Sequence, residues 1–72
     1  MKFDFSELKG KIVAKFGTRA AFAVAMGFNN EQLSRRLNNR TSFTMDEIYR
    51  AMDLLGIAPK DIAKYFFTPK VR

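Results

Sequence analysis

The 72-residue chain is predicted to be all-α, folded as one compact five-helix bundle. Three observations carry that expectation. Apolar residues recur at spacings of three and four, and no run alternates in the manner of a strand. Glycines or polar clusters close each periodic segment after a few turns, the length of ordinary helices. Hydrophobic residues make up 47% of the chain and include eight Phe, which supplies large buried areas to a domain too short to waste any.

The elements follow in order. Helix one runs from Phe5 or Ser6 to Phe16, with Asp4 as N-cap and Glu7 completing a capping box. Leu8, Ile12 and Phe16, joined by Val13, form its inner stripe, and Lys9, Lys11 and Lys15 cover its outer side. Gly10 sits inside it at a cost of about 1 kcal/mol relative to Ala. Gly17 ends it. Thr18 then caps a short second helix through Met26, which Gly27 stops. Asn29 caps a third helix from Asn30 to about Leu37, closed by the polar run Asn38-Asn39-Arg40-Thr41. Thr44 and Glu47 form a second capping box and open helix four, whose inner stripe is Met45, Ile48, Met52 and Leu55. Gly56 ends it. Pro59 fits the first turn of a fifth helix, with Ile62, Ala63 and Phe66 as its apolar face. Residues 1–67 are therefore expected to form one domain, and residues 68–72 a short, basic, loosely held tail.

Composition narrows the function. Thirteen basic residues against seven acidic ones leave a formal charge of +6. That balance suits a polyanion such as nucleic acid, or serves solubility alone. Cysteine and histidine are both absent, which removes disulfides, thiolate chemistry and His-based metal sites or triads. No metal, cofactor or small-molecule ligand is expected. No apolar run approaches the ~20 residues of a membrane span. Met1-Lys2-Phe3-Asp4 lacks the apolar stretch of a signal peptide. The expectation is a cytoplasmic binding module and no enzyme.

The stretch from Thr18 to Asn39 carries the most information. Two short helices joined by a tight turn cross closely, which requires a small residue on the first; Ala23 supplies it. The turn requires a residue at ease with positive φ, and Gly27 stands four positions later. Leu33, ten positions after Ala23, returns an apolar side chain to the first helix. Phe22, Met26, Phe28 and Leu37 complete the shared core. Ala-x-x-x-Gly alone is common, but the joint pattern within five helices of suitable length reads as a helix-turn-helix.

On these residues the chain resembles the Cro/CI-type helix-turn-helix family of phage and bacterial regulators, with a lambda-repressor-like DNA-binding domain. One helix precedes the motif and two follow it. The opening Met1-Lys2-Phe3-Asp4-Phe5-Ser6-Glu7-Leu8-Lys9-Gly10-Lys11-Ile12 is similar to a narrower group, the modulator-of-repression proteins of lactococcal-type temperate phages. The Leu37-Asn38-Asn39 step and the ending Ile62-Ala63-Lys64-Tyr65-Phe66-Phe67 share that similarity. The narrower resemblance implies an antirepressor that binds the lysogenic CI-type repressor in the bacterial host and controls the lysis–lysogeny switch. The broader one implies the alternative, a Cro-like repressor that binds operator DNA directly as a dimer.

The resemblance also assigns surface residues. Arg19 opens the second helix where the family clamps a phosphate, commonly with Gln; a solvated Arg is an equal reading. The third helix is expected to present Asn30, Glu31, Ser34 and Arg35 outward. Asn30 can pair with adenine and Arg35 with guanine in a major groove. Glu31 repels phosphates and suits a basic protein surface. Arg36 departs from the family, which places an apolar residue there. Leu37 is expected to take over its packing role and Arg36 to emerge as a surface contact. Asn39 and Arg40, after Asn38, stand where the family touches the DNA backbone, although capping and loop solubility account better for the two Asn. Phe16, Phe22 and Phe66 are expected in the core. Phe3, Phe5, Tyr65 and Phe67 either cover the base of the bundle or form a protein interface. A protein complex with weak or joint DNA contact is the resulting expectation.

Overall fold

Capping residues and glycines turn into helix boundaries almost one for one. The computed structural model describes residues 2–71, so Met1 and Arg72 lie outside the described residues. Five α-helices follow one another: α1 (Ser6–Phe16), α2 (Arg19–Met26), α3 (Asn30–Leu37), α4 (Met45–Leu55) and α5 (Ile62–Phe66). A 3₁₀ turn at Pro59–Asp61, with Pro at its start, leads into α5. Among the described residues there is no strand, only one isolated bridge between Phe3 and Pro69. No helix among them is long and apolar enough to cross a membrane.

The caps explain the boundaries. The Thr18 hydroxyl accepts from the Ala21 N–H at 3.1 Å and so begins α2. Thr44 and Glu47 cap each other at the start of α4, at 3.0 and 3.1 Å. The start of α1 differs from expectation. Phe5 stands at the N-cap, and the Asp4 carboxylate accepts from the Ser6 N–H at 2.8 Å and the Ser6 hydroxyl at 2.6 Å. A box with Glu7 would need the Asp4 N–H, which donates instead to Thr68 O at 2.8 Å.

The core is wholly apolar. Leu8, Ile12, Phe22, Met26, Leu55 and Phe66 are its largest fully buried side chains. Three positions of the expected inner stripes face outward. Val13 is 50% exposed, because α2, α4 and α5 pack on the side of α1 that carries Leu8 and Ile12. Met45, at the first position of α4, is 52% exposed, and Ala51 completes the inner row with Ile48, Met52 and Leu55. Ala63 is exposed, while Phe66 of the same short α5 is buried.

Aromatic edges seal the base. Phe43, between α3 and α4, meets the rings of Phe5 at 5.6 Å and Phe66 at 5.4 Å, both edge-on. Phe5 is buried, Phe3 and Tyr65 are half-buried, and Phe67 touches Phe3 edge-on at 5.7 Å. The expected loose tail is corrected over residues 68–70. Besides the Asp4–Thr68 bond, Lys70 N–H donates to Lys2 O at 3.0 Å. On the other side of Phe3, the Asn39 side chain accepts from its N–H at 2.8 Å and donates to its carbonyl at 2.9 Å. The two chain ends thus close on each other and on the end of α3.

Candidate partner-binding surface

The surface in question is built on the turn between α2 and α3. Gly27 adopts φ 79°, the left-handed conformation, and the Phe28 N–H donates back to Ala23 O at 2.8 Å. Asn29 and Gln32 then cap each other reciprocally at 2.8 Å each and start α3. Phe22, Ala23 and Met26 of α2 are buried with Leu33 and Leu37 of α3. With those two leucines turned inward, helical spacing leaves Asn30, Glu31, Ser34 and Arg35 on the exposed side.

This face is nearly neutral. Glu31 lies one turn before Arg35, with 3.7 Å between carboxylate and guanidinium. The Ser34 hydroxyl accepts from the Asn38 amide at 3.1 Å. A shallow groove of about 290 Å³ separates the helices and gathers Arg19, Ala20, Asn30, Leu33 and Ser34. The neighbouring face of α2 is apolar: Ala20, Ala21, Val24 and Ala25 are all exposed, Val24 at 78%. Arg40 is also exposed, beyond the far end of α3, where its N–H donates to Arg35 O at 2.8 Å.

Two expected surface residues are elsewhere. Arg36 does not emerge from the domain. Its Nε donates to Glu47 Oε1 at 2.9 Å and its Nη2 to Glu47 Oε2 at 3.0 Å, while Nη1 donates to Gln32 O at 2.9 Å. The guanidinium lies 4.4 Å from the Phe28 ring centroid. The side chains of Arg36 and Glu47 are only 14% and 13% exposed. An Arg at an inward position is tolerated because its charge and donors are met. Hydrogen bonds from Arg36, aided by the Thr44 N–H and by the charges of Arg36 and Arg50, hold the Glu47 carboxyl below its ordinary value against the opposing effect of burial. Asn39 adopts φ 63° and is occupied with Phe3, so it fastens the N-terminal segment.

Sequence reasoning identified Glu47 and Phe28 for other duties and missed their link to Arg36. The available signal was a charge at a position that must face inward, which demands an acid on the next helix. Gln32 was legible as well, as the third residue after the cap Asn29. Among the described residues no group of three or more His, Cys, Asp or Glu could hold a metal ion.

The family model described as "Protein of unknown function (DUF739)" matches residues 1–69. No curated protein matches the chain. The solution structure of the modulator of repression of the temperate bacteriophage TP901-1 from Lactococcus lactis is similar throughout, with 44% identity and a TM-score of 0.83. The similarity covers 100% of this chain and 97% of that one. With residues 1–69 matched, the chain belongs to the DUF739 family.

Proposed function

We propose that this protein is a phage antirepressor without enzymatic activity. It binds the lysogenic CI-type repressor through the α2–α3 surface and so shifts the lysis–lysogeny switch. The observation that carries this reading is the full-length similarity to the TP901-1 modulator of repression. The α2–turn–α3 unit is read as a Cro/CI-like helix-turn-helix turned toward a protein. Its exposed face supports that assignment. Phosphate binding draws on free cations, one for each contact. Here Arg35 is shared with Glu31, and α2 offers Ala20, Ala21, Val24 and Ala25 beside the single cation of Arg19. A surface of small apolar residues flanked by a neutral ion pair suits a complementary protein, whose binding depends on fit more than on net charge.

The second reading, a Cro-like repressor that contacts operator DNA directly, is favoured by the formal charge of +6 and by Arg19 and Arg40 at opposite ends of the α2–α3 surface. Titration of operator DNA with this protein, with the repressor, and with both, at two salt concentrations, separates the two. The expected result is weak, salt-sensitive DNA binding alone, co-elution with the repressor, and altered repressor–operator binding when both are present. Tight sequence-specific binding by this protein alone, or failure to co-elute with the repressor, rejects the antirepressor reading.

A further inference from the structure

The helix that carries the proposed contact face packs its backbone most closely on α2, and its buried Leu33 and Leu37 decide which side faces the core. Two leucines fix the inward side but leave so short a helix some freedom to tilt and roll unless a further point holds it. The Arg36–Glu47 pair is such a point. Its two bonds, at 2.9 and 3.0 Å, form the planar two-pronged geometry that fixes an angle as well as a distance. Each partner is itself immobilised. Arg36 is bonded to Gln32 O on its own helix and stacked on Phe28. Glu47 Oε1 also accepts from the Thr44 N–H at 3.0 Å, which ties it to the first turn of α4. One arginine therefore couples the capping box of α3, through Gln32, to the capping box of α4.

The geometry points to Arg36 and Glu47 as a positioning pair: with the inward side of α3 already fixed by Leu33 and Leu37, they hold its fine angle, and with it the angle at which Asn30, Glu31, Ser34 and Arg35 meet the partner. They do so without touching that partner, since both are nearly covered. This inference rests on the antirepressor reading for its consequence, though not for its geometry. A pair kept for stability alone could give way to neutral residues of similar volume at little loss. A pair kept for orientation could be replaced with equally little loss of stability, but not with the helix angle and the partner binding intact.

The test uses that difference. Arg36→Met/Glu47→Gln keeps the Thr44 cap through the glutamine oxygen and keeps a side chain over Phe28, but removes the two-pronged bond. Arg36→Lys keeps the charge without the planar geometry. For each variant and the wild type, backbone N–H residual dipolar couplings report the orientation of α3 relative to α1 and α4. Calorimetric titration with the CI-type repressor reports affinity. The double variant is expected to melt within a few degrees of the wild type, with α3 couplings that no longer fit the wild-type orientation and at least tenfold weaker binding. Arg36→Lys is expected to fall between the two, and it carries the comparison if the double variant does not fold. Couplings that fit the wild-type orientation in the folded variants overturn the inference, as does affinity within twofold of wild type despite a rolled α3. If the wild type itself does not bind the repressor, the antirepressor reading fails with the claim on binding, and the couplings alone decide whether the pair orients α3.

Discussion

Glu47 joins two helices and caps one of them, so its ionisation state has consequences beyond its own contacts. Its carboxyl is held below the ordinary value of 4.5, chiefly by the hydrogen bonds from Arg36. A carboxyl depressed in the folded state adds stability that is complete above the unfolded value and is lost as pH falls through the folded one. Glu47→Gln should therefore be less stable than wild type near neutrality by about 2 kcal/mol, between the values for exposed and buried pairs. That corresponds to roughly 10 °C in Tm for a domain of this size. The difference should begin to shrink as pH falls through about 4.5, the ordinary value, and vanish below the depressed folded value, where the folded carboxyl takes up its proton. Thermal melts of both proteins between neutral and acid pH check this, and an undiminished gap in acid would sink it. Asp4 is also depressed, chiefly by its side-chain bond to Ser6, but it titrates in both proteins and cancels. At this scale the sequence marked Arg36 as misplaced for its helix but not what would receive it. The answer lay eleven residues away on another element.

At the scale of elements the chain was far more legible. Thr18, Asn29 and Thr44 each accept from an N–H three residues on, and Gly27 and Gly56 end their helices in the left-handed conformation. These are short-range effects, settled by a few neighbouring residues, which is why local reading found them. One substitution at two glycines should show opposite signs. Gly10 lies within α1 with open space where a Cβ would stand, so Gly10→Ala should stabilise by about 0.8 kcal/mol. Gly27 has equal space but φ 79°, so Gly27→Ala should destabilise by about 1 kcal/mol. Urea denaturation of both variants measures the pair, and a shared sign would refute the account. Where the inner stripes erred, at Val13, Met45 and Ala63, the period was right and its phase depended on where neighbouring helices lay.

At the scale of the whole molecule, the two chain ends hold each other. Phe3 is fastened on one side by Asn39 and flanked on the other by the Asp4–Thr68 and Lys2–Lys70 bonds. Truncation after Phe67 removes both backbone bonds and should cost about 2 kcal/mol, at about 1 kcal/mol for each. Asn39→Ala should cost a similar amount. Because both changes release the same N-terminal segment, the combined variant should lose less than the sum. A double-mutant cycle by thermal unfolding tests this, and strict additivity would show that the two sides act independently. A small domain has little stability to spare, so this closure matters to a chain of 72 residues.

The sequence by itself determined the helices, their order and the identity of most of the core, because apolar spacing, caps and glycines act within a turn or two. It also pointed to the outward residues of α3, since two buried leucines set that helix's phase. Only the tertiary structure decided that Arg36 is enclosed against Glu47, that Asn39 holds Phe3, that Phe43 seals the base, and that residues 68–70 are bound rather than loose. Each of those depends on groups far apart in the chain meeting with matched donors, acceptors or ring edges. The spacing of neighbouring residues carries no record of such meetings.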